Sequence, residues 1–230
     1  MDKLCNEKLK QLMRTNLGSF QVRTHSHAGV QRAAVALTIV DVAHGSDDYG
    51  LPSFKTRQPD AALILTRRST NLRNHSGQWA LPGGRRDQNE DPAGTALREL
   101  SEEVGLDLAP DRVIGYLDDF TTRSGFVITP VVIWGGDQVD LVANPAEVAS
   151  IHRIPLVEFL RKDAPLIENS PGSKAPLLLM PFETPALPPR PRQCFINFGR
   201  WPCWGGIHGW RILSSHPLHG SDTKGSRVQG

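Results

Sequence analysis

The sequence predicts a protein of the α+β class, in which helices and strands mix in one domain around a central helix. Two observations support this prediction. Short apolar runs rich in β-branched residues, which are typical of buried strands, recur between residues 32 and 155. Among them, residues 91–105 carry complete start and stop signals for a helix. Strand and helix segments follow one another irregularly, so the pattern favours a mixed α/β arrangement over regular strand–helix pairs.

The first third of the chain predicts one helix and two strands. Apolar residues spaced among charges favour a short amphipathic helix within residues 1–15. The run AAVALTIV predicts a buried strand over residues 32–41, and ALILT predicts a second strand over residues 61–66. The turn-rich stretch 44–54 between them predicts a loop.

The segments after the central helix predict further strands. Residues 108–116 predict a turn followed by a short strand. Residues 120–122 and 126–134 predict the two arms of a hairpin around a short Arg-Ser-Gly turn. Residues 145–162 predict a strand and then a helix, with Pro155 near their junction.

The central helix is the best-defined element of the sequence. Asp91 followed by Pro92 predicts the start, since aspartate caps a helix and proline suits the first helical position. Gly105 predicts the end, about three and a half turns later. At roughly 100° per residue the apolar side chains fall on one side of this helix. They are Ala93, Ala96, Leu97, Leu100 and Val104.

Three carboxylates share another side of the same helix. Glu99, Glu102 and Glu103 fall within roughly a third of its circumference. Like charges this close repel each other even on an exposed helix, and each pair costs roughly a few tenths of a kcal/mol. A solvated acidic face is the ordinary interpretation of such a run. A divalent cation is the other, because Mg²⁺ takes carboxylate oxygens together with waters and substrate phosphates.

The spacing of the whole segment favours the cation. Gly84 is followed after five residues by Glu90, and after seven more by the run REL-S-EE-V-GL that begins at Arg98 and ends at Leu106. This pattern matches the Nudix box at every defined position, so the chain resembles a Nudix hydrolase. The resemblance implies an α/β/α sandwich with a mixed β-sheet. It also implies hydrolysis of a nucleoside diphosphate linked to another group, with Mg²⁺ or Mn²⁺ as cofactor.

The resemblance also implies roles for the residues of the box. Glu102 and Glu103 correspond to the principal metal ligands of the family, and Glu99 to a further one. Arg98 is expected to hold the carboxylates and the preceding loop in place, with Glu90 as its partner. These five residues form the predicted catalytic set. Gly84 and Gly105 are expected at turns that a side chain would obstruct.

One further carboxylate lies outside the box. Glu147 follows an Asn-Pro turn and has a position suited to an additional metal ligand or to the general base. The alternative is a solvated loop carboxylate. A glutamate of the box is the other candidate for the general base, and both candidates stay open.

A second pattern, just upstream of the box, bears on the substrate. The sequence L-T-R-R-S, then L-R, H, G-Q and P-G-G resembles the signature that precedes the box in coenzyme A pyrophosphatases. Leu81 departs from it, because an aromatic residue commonly precedes the Pro-Gly-Gly turn there. A cationic loop suits a substrate with a phosphate beyond the diphosphate, and coenzyme A carries a 3′-phosphate. The predicted substrate-binding residues are Arg67, Arg68, Ser69, Arg73, His75, Gln78, Gly83 and Gly84.

Several alternatives accompany this prediction. The three arginines could be ordinary surface charge, His75 could have a structural hydrogen-bonding role, and Trp79 is expected to pack rather than stack on a base. The substrate could be another nucleoside diphosphate derivative such as ADP-ribose. The chain could also be a Nudix-fold binding module without turnover, although its carboxylate set is intact.

Composition restricts the other function classes. The formal charge of +2 indicates no strong polyelectrolyte partner such as nucleic acid. No apolar run suits a signal peptide or a membrane span, so the sequence predicts a cytoplasmic protein without membrane contact. Three scattered cysteines suit neither a disulfide framework nor a zinc site. The expected partner is a nucleotide small molecule, and a homodimer is left open.

The chain divides into three parts. Residues 1–29 are a predicted helix and linker, residues 30–183 the Nudix domain, and residues 184–230 an atypical tail. The tail has six basic residues against one acidic residue, three tryptophans, and no period of a helix or strand. It begins with the PPII-like run PALPPRPR, and its last residues have a disordered composition. It is interpreted either as a basic interaction segment or as the product of a shifted reading frame near Phe182.

Overall fold

The computed structural model describes residues 3–25, 29–45, 53–71, 77–122 and 125–160, together with three later strands. Its main body is a mixed β-sheet with a helix on each face, so the predicted α+β class and the α/β/α sandwich are confirmed. None of the helices in these residues is both long and apolar enough to cross a membrane.

Eight strands of the described residues form the main sheet. They are β1 (Arg32–Gly45), β2 (Ser53–Arg68), β3 (Trp79–Ala80), β4 (Gly83–Arg85), β5 (Val113–Tyr116), β6 (Phe120–Thr121), β7 (Val127–Gly136) and β8 (Val148–Pro155). The central order is β3-β2-β1-β7-β5, with β4 paired to β1, β6 to β7 and β8 to β2. Strands β1 and β7 run parallel, and the other pairs of this sheet are antiparallel.

The two helices, α1 (Glu7–Gly18) and α2 (Pro92–Val104), cover opposite faces of the sheet. Successive residues of a strand point to opposite faces, and the buried residues of β1 follow this rule. Leu37 and Ile39 join the core beneath α1, whereas Ala36 and Val40 join the core beneath α2. The short apolar runs of the sequence are therefore strands buried on both sides.

Helix α2 has the ends that its sequence predicts. The Asp91 side chain accepts a hydrogen bond from the Gly94 N–H at 2.6 Å, and Pro92 occupies the first turn. Gly105 ends the helix in the left-handed conformation at φ 67°, and its N–H donates to carbonyls of the last turn. Because capping depends only on neighbouring residues, this element was readable from sequence alone.

Helix α1 lies later in the chain than predicted. It begins after Asn6, whose side chain accepts a hydrogen bond from the Leu9 N–H at 3.0 Å, and it ends at Gly18. Leu4, which the periodicity assigned to the helix, precedes it and forms a bridge with Asp60 instead. An Asn cap is a stronger start signal than one apolar residue before it.

Two other predictions need correction. The predicted loop over 44–54 is shorter, because β1 continues to Gly45 and β2 starts at Ser53, with Gly45 opposite Ser53. Backbone pairing does not require apolar side chains, so this ladder continues past the apolar run, with register shifts around Ala43. The helix predicted after Pro155 is a 3₁₀ helix, Leu156–Leu160.

The predicted hairpin is present. Strand β6 pairs antiparallel with β7, and Thr122 and Phe126 close the turn through the Thr122 N–H and the Phe126 carbonyl at 2.8 Å. The short strand predicted within residues 108–116 is β5, preceded by a 3₁₀ turn at Pro110–Arg112.

A second sheet contains three short strands, β9 (Leu166–Asn169), β10 (Pro176–Phe182) and β11 (Arg192–Cys194), in the order β11-β10-β9. Strand β11 belongs to the segment in which no strand was predicted, so that expectation is wrong for Arg192–Cys194. The other residues of the predicted tail lie outside the described residues, and both interpretations of the tail stay predictions.

Candidate metal centre

Three glutamates converge at the C-terminal half of α2. Glu99 and Glu103 lie one turn apart on that helix, and Glu147 comes from the segment between β7 and β8. One carboxylate oxygen from each lies within 4.8 Å of the others. We call this group the carboxylate cluster.

Two of the three glutamates in the cluster are buried, which makes their charge costly, whereas Glu147 is half-buried. Glu103 is 2% exposed and Glu99 9% exposed. Burial, followed by the charge of Glu99, raises the pKa of Glu103 to about 8, against the opposing effect of Arg68 and a hydrogen bond from the Gly83 backbone. Burial also raises the pKa of Glu99, while Arg98 opposes that rise. Buried carboxylates are normally paired or bound to a metal.

A divalent cation fits this arrangement. Each glutamate offers a hard oxygen ligand, and the three ligand atoms lie close enough together to share one ion. The raised pKa values of Glu99 and Glu103 express first the cost of burying these charges, and then the repulsion from neighbouring carboxylates.

Gly84 allows the backbone of β4 to approach this cluster. A Cβ atom at position 84 would lie 2.5 Å from Cδ of Glu99, which real side-chain contacts essentially never show. At the neighbouring Gly83, a Cβ atom would lie 2.7 Å from Cα of Val35. Gly83 is therefore required by close approach to the backbone of β1. Gly84 lies in β4 and not at the predicted turn, and a side chain there would force the Glu99 carboxylate to shift.

Arg98 connects the cluster to the loop before the helix. Its Nε and Nη2 donate to the two oxygens of Glu90 at 3.1 and 3.2 Å, so the predicted contact between these residues is present. Its Nη1 donates to Glu99 at 2.9 Å and to Glu102 at 3.0 Å, and its Nη2 donates to the Arg85 carbonyl at 3.1 Å. The hydrogen bonds that Glu90 accepts, from Arg98 first and from Thr95 second, hold its pKa at about 2.

Glu102 lies apart from the carboxylate cluster. Its side chain is 50% exposed and pairs with Arg98 on the rim of the site. A step of about 100° per residue turns it away from the side on which Glu99 and Glu103 meet Glu147. The predicted role of Glu102 as a principal metal ligand therefore stays a prediction, whereas the geometry brings Glu147 inside.

The segment that carries Glu147 is attached to the C-terminal end of α2. The Val142 N–H donates to the Val104 carbonyl at 2.9 Å, and the Asn144 N–H donates to the Glu103 carbonyl at 3.0 Å. The Asn144 carbonyl then accepts from the Glu147 N–H at 3.0 Å. The last carbonyls of a helix lack partners within it, so they provide a docking site for this turn.

The predicted substrate-binding residues are only partly described. Arg73 and His75 lie outside the described residues. Ser69 is buried, and its N–H donates to the Glu147 carbonyl at 2.8 Å. The Gln78 carbonyl accepts from the Arg68 N–H at 2.9 Å. Trp79 packs against His152 with 4.5 Å between ring centroids, so its predicted packing role agrees with the structure.

Comparison with known proteins identifies the family of this chain. A family model described as the NUDIX domain matches residues 53–171, more than half of the chain. The uncharacterized Nudix hydrolase NudL of Yersinia enterocolitica is 38% identical over 152 residues, which cover 66% of this chain and 67% of that protein. NudL of Photorhabdus laumondii is 42% identical over 104 residues, covering 45% and 56%. The chain therefore belongs to the Nudix family.

The chain spans about two thirds or less of the length of these relatives. For NudL of Yersinia pestis, the matched part is 64% of the length of that protein. Among solved structures, it is similar to the MutT protein of Methanosarcina mazei at 23% identity and a TM-score of 0.40, covering 62% of this chain and 84% of that one. The NUDIX domain of Shewanella oneidensis NrtR, complexed with ADP ribose, has 19% identity and a TM-score of 0.40, covering 62% and 79%.

Proposed function

We propose that this protein hydrolyses the diphosphate bond of coenzyme A or its thioesters in a reaction that depends on Mg²⁺ or Mn²⁺. The products are 3′,5′-ADP and 4′-phosphopantetheine, or its acylated form. The observation that supports this proposal most directly is the carboxylate cluster, in which Glu99 and Glu103 of the box helix are buried and Glu147 joins them from the segment before β8.

The proposed metal would be held by the carboxylate cluster, with Glu102 as the further ligand that the family pattern implies. A bound divalent ion neutralises phosphate charge and lowers the pKa of bound water. The chain itself provides the positions of the ligands. Arg98 holds Glu99 and Glu102, and Gly84 leaves room for Glu99.

In the proposed reaction, a water oxygen bonds to one phosphorus of the diphosphate while the bond from that phosphorus to the bridging oxygen breaks. The departing phosphate takes the electron pair, and the water proton passes to a base. Glu147, where it does not hold the ion, and a glutamate of the box are the two candidates for that base, since each is a carboxylate at the site.

The preference for coenzyme A rests on the upstream motif. Arginines in that motif suit the 3′-phosphate, because a guanidinium binds phosphate through paired hydrogen bonds. A nucleoside diphosphate derivative without this phosphate, such as ADP-ribose, is the competing substrate. The names of the relatives specify no substrate.

Product analysis by mass spectrometry tests the proposal. The full chain is incubated with Mg²⁺ or Mn²⁺ and coenzyme A, acetyl-coenzyme A, 3′-dephospho-coenzyme A, ADP-ribose or NADH. We expect cleavage of coenzyme A to exceed that of the dephospho form by at least about tenfold, since a lost charged hydrogen bond costs roughly 1.5–3 kcal/mol. Glu103→Gln is expected to abolish cleavage, whereas Glu7→Gln, at an exposed position on α1, is the matched control.

The other outcomes separate the alternatives. Preference for ADP-ribose would retain the metal site and remove coenzyme A as the substrate. Metal binding without turnover of any compound would favour a binding module. Activity that survives both EDTA and Glu103→Gln would contradict the metal-dependent reaction itself.

A further inference from the structure

The two neighbouring arginines at the end of β2 point to opposite faces of the sheet. In this strand Leu63 and Leu65 pack in the core beneath α1, and Ile64 packs in the core beneath α2. The pairing with β8 shifts register between Arg67, opposite Ser150, and Arg68, opposite Val148, so the extra residue lies in β8. Alternation along β2 therefore places Arg67 with the first set and Arg68 with the second. The Arg67 Nε donates to the Gly77 carbonyl at 3.2 Å.

Arg68 lies beside the carboxylate cluster. It is paired across the sheet with Val148, the residue that follows Glu147. The next residue of the chain, Ser69, donates its N–H to the Glu147 carbonyl at 2.8 Å. The Arg68 guanidinium is close enough to Glu103 to lower the pKa of that carboxyl. Strand register, backbone contact and charge thus place it at the same site.

The Arg68 guanidinium has an unused donor. Its Nε is buried and has no hydrogen-bond partner among the residues that the structure describes. A buried donor without a partner costs free energy, and a bound water, ion or ligand can complete it. An anion held at the carboxylate cluster would supply the missing acceptor.

We propose that Arg68 is a catalytic residue that binds the scissile diphosphate at the metal centre, and that Arg67 does not share this role. The inference rests on the proposed function and refines it, because the upstream arginines were expected at the 3′-phosphate. The Arg68 guanidinium donates to non-bridging oxygens of the diphosphate, whose charge increases as the bond to the bridging oxygen breaks. Its position beside Glu103 and Glu147 makes it the arginine of this pair that reaches those oxygens.

The first test compares two substrates. We measure kcat and KM of Arg68→Gln for coenzyme A and for 3′-dephospho-coenzyme A. We expect kcat to fall about 100-fold or more for both, as for loss of a donor to developing charge, with an unchanged ratio between them. Arg14→Gln, at an exposed position on α1, is the matched control, and we expect its kcat for both substrates to stay within about threefold of the wild type. An equal 100-fold loss on both substrates in Arg67→Gln would contradict the division between the two arginines. A loss confined to coenzyme A in Arg68→Gln would assign Arg68 to the 3′-phosphate and overturn the inference.

The second test needs no turnover. Binding of methylenediphosphonate, a diphosphate analogue that water cannot cleave, is measured calorimetrically with Mg²⁺ present. We expect Arg68→Gln to weaken binding at least about tenfold and the control Arg14→Gln to leave it unchanged. Equal affinity in the wild type and Arg68→Gln would contradict the inference even if coenzyme A is cleaved.

This second readout also separates the two proposals. Diphosphate binding that depends on Arg68, without cleavage of any coenzyme A compound, would contradict the proposed reaction and support the role of Arg68. If Arg68→Gln does not fold, Arg68→Lys replaces it in both tests. Lysine keeps the charge but not the fork of donors, and we expect a loss of about tenfold that is equal for the two substrates.

Discussion

Gly84 lies where the β4 backbone comes closest to the carboxylate of Glu99. Its conformation is accessible to other residues, so an added methyl group acts through Glu99 alone. We expect Gly84→Ala to weaken Mn²⁺ binding about 10- to 100-fold, as displaced supports of metal ligands commonly do. Titration followed by electron paramagnetic resonance measures the affinity.

The control for this change is Gly18→Ala at the end of α1, where an added Cβ atom meets nothing within 4 Å. Shortening the displaced side chain in the double variant Gly84→Ala/Glu99→Asp should restore part of the affinity. Mn²⁺ binding that is unchanged in Gly84→Ala would show that Glu99 can move away without loss, and would contradict its assignment to the metal.

Glu90 makes the stability of the fold depend on pH in the acid range. Hydrogen bonds from Arg98 hold its pKa at about 2, below the ordinary value of 4.5. The stabilisation is therefore fully present above about pH 5 and is lost as the pH falls through 2. Because Glu90 is partly exposed, we expect a contribution on the order of 1–2 kcal/mol.

Urea unfolding between pH 2 and pH 6 measures this effect against Glu90→Gln. The difference in unfolding free energy between wild type and variant should shrink as the pH falls. Thr95 also donates to Glu90, so Thr95→Val reports the part that does not come from Arg98. A difference that does not change with pH would exclude the ion pair as its source.

At the scale of elements, sequence predicted what depends on neighbours in the chain. Helix α2 and its acidic side follow from local capping and from the 3.6-residue period. The position of Glu147 beside Glu103 depends instead on a turn that contacts the end of α2 although it lies about 40 residues later in the chain. The different roles of Arg67 and Arg68 likewise depend on the face of β2 on which each side chain lies. A strand buried on both faces reads as a continuous apolar run, which does not show which face is which.

The turn at Asn144 is the element that brings Glu147 to the cluster. The Asn144 side chain accepts a hydrogen bond from the Ala146 N–H at 3.2 Å, while its backbone bonds to Glu103 and Glu147. We expect Asn144→Ala to loosen the turn and weaken Mn²⁺ affinity about fivefold, the equivalent of one ordinary hydrogen bond. Thermal stability should change little, because the backbone hydrogen bonds persist.

Calorimetric Mn²⁺ titration measures the affinity, and Asn144→Asp serves as the rescue because it keeps the acceptor. We expect Asp to bind Mn²⁺ at least as well as the wild type. Equal weakening in both variants would assign the effect to something other than the turn.

At the scale of the whole molecule, the sheet has the carboxylate cluster on the face covered by α2 and a hydrophobic core on the face covered by α1. Leu9, Met13 and Leu17 of α1 fill the core on the face opposite α2. The segment after α1 is held by Asp118 and Asp119, which accept from backbone N–H groups at 2.8 and 2.9 Å. The amphipathic period predicted a helix near the start of the chain, but its face of the sheet depends on contacts far away in sequence.

The carboxylate cluster should couple the stability of the fold to a bound divalent ion. Without an ion, burial keeps the pKa of Glu103 near 8, so its stabilising effect is lost as the pH rises from about 4.5 through 8. Glutamine at this position bears no charge. We therefore expect Glu103→Gln to be more stable than the wild type at pH 8 in EDTA, by on the order of 1–3 kcal/mol.

A divalent ion should reverse that order. A metal ion that binds only the folded state stabilises that state by a free energy that grows with the logarithm of the ion concentration. At a concentration of 100 times Kd this stabilisation is about 2.7 kcal/mol. We expect the melting temperature of the wild type to rise with Mn²⁺ and that of Glu103→Gln to stay nearly constant, so that the two curves cross. Glu7→Gln should follow the wild type, because it removes a charge from an exposed position on α1. Parallel curves for wild type and Glu103→Gln would mean that Mn²⁺ stabilises the fold elsewhere.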